Sequence, residues 1–215
     1  MQNDREAFDK ALANVVDVNE KDGISRCTPL HLAVSRNVGM VKTLLEHPDI
    51  DVNALNNRKS TPLIEAAETP LDSAVLEMLI AKGALVDTEN MHGDTALMMS
   101  VMEGPNAAVV VLLEKGADIN KRTRKEETLL HLTRVVSVAK TLVAAGADYN
   151  ATDDDQSTPL HVAYKKHRHG VAAFLVEAGA DCSALDRCGK LAYYYAHTKW
   201  HPNRSEDSEA DAAGL

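Results

Sequence analysis

Thr28 to Asn53 reads TPLHLAVSRNVGMVKTLLEHPDIDVN, and much of the remaining chain is this stretch written again. TPLIEA begins at Thr61, TALMMS at Thr95, TLLHLT at Thr128 and TPLHVA at Thr158, with a degraded LAYYYA from Leu191. Successive starts lie 33, 34, 33, 30 and 33 residues apart. A second motif keeps the same phase: HPDIDVN, KGALVD, KGADIN, AGADYN and AGADCS. Such a period marks a supersecondary unit that hides its apolar face only against its neighbours.

The residues explain the unit. Thr at a helix N-cap accepts a hydrogen bond from an orphan backbone N–H. Pro follows at the first helical position, where its missing N–H costs nothing. His stands three residues after Thr, from where its ring can reach back toward the cap as a capping-box Glu does. Leu30 and Ala33 face the next unit, and MVKTLLEH supplies a second helix by its apolar spacing. Gly in KGAD ends that helix in a left-handed cap. Polar residues then form a turn-rich finger leading to the next Thr.

On these two phased motifs, over about 200 of the 215 residues, the chain resembles the ankyrin repeat family. The resemblance implies an all-α solenoid of stacked helix-turn-helix units with finger loops. Residues 1–22 are expected to be a half-repeat cap, 23–185 five full repeats, 186–202 a C-terminal capping helix and 203–215 an acidic, disordered tail. Departures from the pattern carry expectations too. Ile64 and Met98 replace the motif His, and Ala96 replaces Pro, so those two repeats should be locally weaker. The fourth repeat is three residues short, which places a deletion at the inter-helix turn in TRVVSVAK; no contacts are therefore carried onto Val135 or Val136. Lys59, Glu126 and Gln156 stand where the finger expects Gly, so those turns should differ from the family's.

Composition narrows the function. The net charge is −9, and 45% of residues are apolar but only 4% aromatic, which suits closely packed aliphatic helices. An acidic chain lacks the cationic footprint that general nucleic-acid or acidic-membrane binding requires. The first ten residues hold no apolar signal stretch, and AAVVVLL from Ala107 is too short to span a bilayer. Cys27, Cys182 and Cys188 are odd in number and fit no zinc spacing, which points to reduced thiols in an intracellular, cytoplasmic or also nuclear, protein. The densest histidine cluster, HVAYKKHRHG, commits His161 to its cap and leaves His167 and His169 on a turn without a converging fourth ligand, so no metal is expected. No nucleophile elbow or phosphate loop is present, and the repeats leave no room for a catalytic domain, so neither enzyme nor cofactor is expected.

In the ankyrin family partners bind the concave side, built from fingers and first helices. Carried over by position, the candidate contacts begin with Asn57, Arg58 and Ser60 on one finger, with Glu68 on its helix. Met91, His92 and Asp94 follow, with Met102 and Glu103. Then come Arg124, Lys125 and Glu127, and last Asp154 and Asp155 with Lys165 and Lys166. Met91 and Met102 suit an adaptable surface, or else fold back onto the core. The finger Asn120–Glu127 sums to +2, whereas Asp87–Asp94 holds three acids without Lys or Arg and Asn150–Ser157 sums to −3. Alternating charge along one row of tips is either cheap solvated surface or a patterned recognition face, in which Arg124 and Lys125 meet an acidic patch. The expected function is a monomeric adaptor or inhibitor of another protein. The alternatives are a substrate of the ankyrin-directed asparaginyl hydroxylase, at Asn53, Asn120 and Asn150, and a microbial effector that binds a host protein.

Overall fold

A computed structural model describes residues 17–69, 73–103 and 105–197, and its regular elements are all helical. Five helix pairs follow one another: α1 (Pro29–Val34) with α2 (Val38–Glu46), α3 (Pro62–Glu68) with α4 (Ala74–Ala81), α5 (Ala96–Met102) with α6 (Asn106–Glu114), α7 (Leu129–Leu132) with α8 (Val136–Ala144), and α9 (Pro159–Lys165) with α10 (His169–Glu177). A last helix, α11, spans Tyr194–His197. First helices stack on first helices and second on second, giving two layers with a continuous core between them. Leu30, Leu63, Leu97, Leu130 and Leu160, equivalent in the five units, are all essentially inaccessible to solvent. Each is worth roughly 1.5–3 kcal/mol in buried apolar surface. The helix expected within residues 1–22 and the tail 203–215 lie outside the described residues, apart from a turn at Asp17–Asn19.

Every first helix of the five pairs opens at an extended Thr. In α1, α7 and α9 the motif His completes a capping box: the Thr N–H donates to Nδ1 over 3.2, 3.0 and 3.2 Å. The ring proton therefore sits on Nε2, and it goes somewhere the sequence did not show. His31 Nε2 donates to the Ser60 carbonyl at 3.0 Å, His131 to Ser157 at 2.8 Å and His161 to Lys190 at 3.1 Å. One imidazole thus caps its own helix and ties it to the base of the next finger. Where His is absent, the Thr cap survives, as Thr61 Oγ1 accepts from Ile64 N–H and Thr95 Oγ1 from Met98 N–H, both at 3.3 Å. Ile64 and Met98 are fully buried, and α3 packs on α5 more extensively than any other described helix pair does. Apolar contact takes the place of the lost bridge there.

The short fourth unit corrects the reading of its sequence. Three residues separate α7 from α8, the same number as separate α1 from α2, so the deletion falls in the helix and leaves the turn at its usual length. The truncated helix leaves carbonyls without partners, and Arg168, entering from the fifth unit, satisfies them. Its Nη1 donates to the carbonyls of His131, Leu132 and Thr133 at 3.0, 3.1 and 2.8 Å. A cation at a helix C-terminus also opposes the helix dipole favourably. At the other end, the capping helix expected within 186–202 begins at Tyr194, because Leu191 bridges back to Leu185 across a further finger turn at Asp186–Lys190.

Two predictions arise. Arg168→Ala should cost about 2 kcal/mol, since charge-assisted bonds are lost and carbonyls are left unsatisfied. Urea unfolding would measure the loss, and amide exchange should rise first in α7; unchanged exchange there would refute the capping role. Burial holds the His31 and His131 imidazoles below their ordinary value of 6.5. The unfolded chain then binds those protons more readily, so stability is whole above about pH 6.5 and falls as pH drops through and below it. The double variant His31→Ile, His131→Met, which copies the chain's own substitutions, should show a shallower decline between pH 7.5 and 5.5 in the same assay.

Candidate functional site

The fingers are built on one residue each. Asn56 Oδ1 accepts from the N–H groups of Arg58 and Ser60 at 2.9 and 3.0 Å, Asn90 Oδ1 from His92 and Asp94 at 2.8 and 3.0 Å, and Asp153 Oδ1 from Asp155 and Ser157 at 2.9 and 2.8 Å. Thr123 Oγ1 does the same for Lys125 and Glu127 at 3.3 and 3.2 Å, and Asp186 for Cys188 and Lys190 at 3.0 Å each. These side chains imitate a backbone turn. The fourth residue of each turn is left-handed whether or not it is Gly: φ is 56° at Lys59, 57° at Glu126 and 55° at Gln156, against 87° at Gly93 and 69° at Gly189. The expectation that Gly-free fingers would turn differently was therefore wrong. The side-chain bonds hold the turn against a strain of roughly 1–2 kcal/mol.

Neighbouring fingers are joined tip to tip. Asn57 N–H donates to the Ser25 carbonyl, Met91 to Arg58, Asp154 to Lys125 and Arg187 to Asp155, over 2.8–3.0 Å. Between the third and fourth fingers a side chain does this work: Arg124 Nη2 donates to the Met91 carbonyl at 2.7 Å. Ser60, offered by the sequence as a contact, is buried, and its carbonyl serves His31.

Several other charges proposed for a partner are engaged internally. Arg58 Nη2 lies 2.9 and 3.2 Å from the two carboxylate oxygens of Glu65. Glu103 pairs with Arg134 at 3.3 Å. Asp155 pairs with Arg187 at 3.4 Å, and the Asp154 carbonyl accepts from the same guanidinium. Lys165 is the most committed. Its Nζ donates to Ser157 Oγ at 2.9 Å and Asp186 Oδ2 at 3.1 Å, and lies 4.4 Å from the centre of the Tyr195 ring. Tyr195 Oη also donates to Asp186 Oδ2, at 2.6 Å. Burial raises the Asp186 pKa, but the Tyr195 hydroxyl, the Lys190 N–H and Lys165 outweigh it and hold the carboxyl well below the usual range. Burial and then Asp186 push the Tyr195 phenol above its ordinary value. Lys165 thus fastens α11, and sequence reasoning missed this because its partners lie 21 and 30 positions on.

Lys125, Lys166, His92 and Met91 remain at the surface, with Met91 46% exposed. Met102 is half-buried against the core, as is its neighbour Met99. Glu68 and Asp94 are half-buried. Burial, then Glu65, raises the Glu68 carboxyl above its ordinary value. A groove of about 480 Å³ opens between the fourth and fifth fingers and α9; Lys125, Glu127, Asp153, Asp154, Asp155, Val162, Lys165, Lys166 and Arg187 are among its lining residues. Ile24, 93% exposed on the first finger, was overlooked, although its place before Thr28 matches that of Asn57 before Thr61 to within a residue.

All three asparagines donate a backbone N–H to the Asp two residues before, and two of them also link units. Asn53 bridges units, donating from Nδ2 to the Gly83 carbonyl at 3.0 Å and accepting from Leu85 N–H at 2.9 Å. Asn150 Oδ1 accepts from Asp181 N–H at 2.8 Å. Asn120 donates its backbone N–H to Asp118 at 2.9 Å and is exposed. His167 and His169 are both exposed, with ring centres 6.0 Å apart. Among the described residues, no three or more His, Cys, Asp or Glu side chains are placed to hold a metal ion, and no helix is long and apolar enough to cross a membrane.

Comparison with known proteins agrees with this architecture. Models described as ankyrin repeats in three copies match residues 1–90 and 51–123, and one described as ankyrin repeats in many copies matches 142–196. Human ankyrin repeat and SOCS box protein 6 is 29% identical over 95% of this chain and 56% of its own length. The chicken nuclear factor NF-kappa-B p105 subunit is 32% identical over 72% of this chain and 16% of its own. The mouse B-cell lymphoma 3 protein homolog is 34% identical over 76% and 38%. The chain thus spans about half or less of the curated relatives it matches. A chain from the complex of the Bdellovibrio bacteriovorus predatory endopeptidase Bd0816 with immunity protein Bd3460 has the same fold, with a TM-score of 0.70 and 23% identity over 79% of this chain and 91% of that one.

Asp186→Asn should release α11. Loss of the charge at the Lys165 and Tyr195 bonds should cost about 2 kcal/mol, within the range for hydrogen bonds to charged groups. Tyr195→Phe should cost less, and the two losses should not add, because both act on one network. Thermal melts of the two single variants and the double variant would check this; additive losses would count against a shared network.

Proposed function

This chain belongs to the ankyrin repeat family, and from that premise we propose that it is a non-enzymatic module that holds another protein against its fingers and first helices. Ankyrin repeats are generally protein–protein interaction modules. Residues 23–185 are read as the units that carry the surface, with 1–22 and 186–202 closing its ends. The observation that carries the proposal is the groove between the fourth and fifth fingers. It is partly open to solvent and lined by both signs of charge, whereas sites that act on small molecules are mostly apolar. Lys165 and Arg187 are spent on internal partners, but among the described residues the Lys125 and Lys166 ammonium groups make no hydrogen bond or ion pair. They are available to meet carboxylates of a partner, and such contacts govern encounter rate and specificity more than raw affinity.

The test is capture of the native partner from cells by the full chain. Lys125→Glu with Lys166→Glu should slow association and weaken capture, most strongly at low salt, because exposed charges are screened within about 10 Å at 0.1 M. Glu114→Lys with Glu177→Lys, on the outer helices, should leave capture unchanged. The reverse pattern, with the outer pair releasing the partner, would sink the proposal.

A further inference from the structure

The positions that line the charged groove recur two units earlier with different chemistry. Asp154, Val162 and Lys165 of the fifth unit correspond to Met91, Met99 and Met102 of the third. Equivalent backbone therefore presents a floor of three methionines there: Met91 exposed on the fingertip, Met99 and Met102 half-buried on α5. Four of the chain's seven methionines lie between Met91 and Met102. Thioethers on unbranched side chains fit irregular apolar shapes without a fixed mould.

Three acids, Glu68, Asp94 and Glu103, border this floor, with Arg124 the cation at its fingertip end, on the Met91 carbonyl. Arg58 is occupied by Glu65, while among the described residues Glu68 and Asp94 have no cationic partner within ion-pair distance. Glu103 pairs with Arg134, more than half exposed on both sides, and screening weakens the pair. Burial first raises the Glu68 carboxyl, and Glu65, Asp94 and Glu103 add to it against the lowering pull of Arg58.

We propose that the concave face of the second and third units is a docking surface for a basic, apolar protein segment, with aliphatic side chains on the Met91–Met99–Met102 floor and Lys or Arg side chains against Glu68, Asp94 and Glu103. This rests on the protein-binding reading above and adds the chemistry of the partner. Charge complementarity selects that occupant: an acidic segment would crowd three more carboxylates, and a purely polar one would leave the methionine floor unfilled. An apolar segment with flanking cations satisfies both.

The probe is an 18-residue synthetic peptide with Leu and Lys at helical spacing, compared with the same peptide carrying Glu in place of Lys. Binding to the full chain is followed by fluorescence anisotropy at 0.15 M salt. The Lys peptide should bind and the Glu peptide should not. Glu68→Lys with Asp94→Lys should weaken the Lys peptide about ten-fold, the effect of roughly 1.4 kcal/mol. The charge-matched control Glu114→Lys with Glu177→Lys, on the outer helices, should change it by less than about two-fold. Met91→Ala, on an exposed fingertip where folding is not at stake, should weaken it severalfold with an unchanged salt dependence. Equal loss in both double variants would mean general attraction to an acidic chain and would overturn the proposal, as would no binding of the Lys peptide or no effect of Met91→Ala. In the capture experiment, a partner retained by Glu68→Lys, Asp94→Lys but lost with Lys125→Glu, Lys166→Glu would overturn this inference while leaving the protein-binding reading intact.

Discussion

A pair of helices seven and nine residues long is too short to persist in water and has too little apolar surface to fold by itself. Each unit of this chain must therefore be finished by the next. Leucines complete it in the core, where equivalent side chains from successive units meet in one continuous layer. Imidazoles complete it at the finger base, capping one helix and holding the carbonyl that precedes the start of the next unit, Thr61, Thr158 or Leu191. Asn53 and Asn150 complete it on the outer side, through bonds to the backbone of the next unit. Where one link is missing, another grows: Ile64 and Met98 give up the bridge and bury apolar surface in its place.

The same economy explains what the fingers offer. Their backbones are fixed by side-chain turns and by tip-to-tip bonds, so the fingertip side chains are held on a scaffold with little freedom left. A preorganised surface loses less entropy on binding. Much of the charge that looks available along the row is already used. Arg58, Arg124, Lys165 and Arg187 hold the array together. What faces outward is a smaller set, acidic and apolar toward the third unit and of mixed charge toward the fifth.

Repeat phase made the helices, their caps and the fingers legible, because each rests on contacts within a few residues. The Thr–Pro–His signature is local chemistry, and it was read correctly for the half of the imidazole that faces its own helix. The other half faces a carbonyl 29 residues on in α1, beyond what one motif reports. Lys59, Glu126 and Gln156 misled because the missing Gly is visible, whereas the Asn56, Thr123 and Asp153 bonds that impose the turn are not read from the same position. The deletion in the fourth unit misled for a related reason. A length difference shows that residues are absent, but the cap available to a shortened helix decides where the loss is taken. Of the candidate contacts, Met91, His92, Lys125 and Lys166 stay at the surface, while Lys165, Arg124 and Asp155 were claimed by partners that only the stacked array brings near.

Arg168 belongs to the fifth unit by sequence and to the fourth by what it holds. Most units of such an array are interchangeable in principle, since each carries the same joint at both ends. The fourth is not, for a helix cut to four residues keeps its end closed only with a guanidinium arriving from outside. Duplicated, shuffled or spliced into another array without its successor, it would arrive with an open carbonyl end. The heritable module at this point in the chain is the pair, and recombination that parts its members has to invent a new closure.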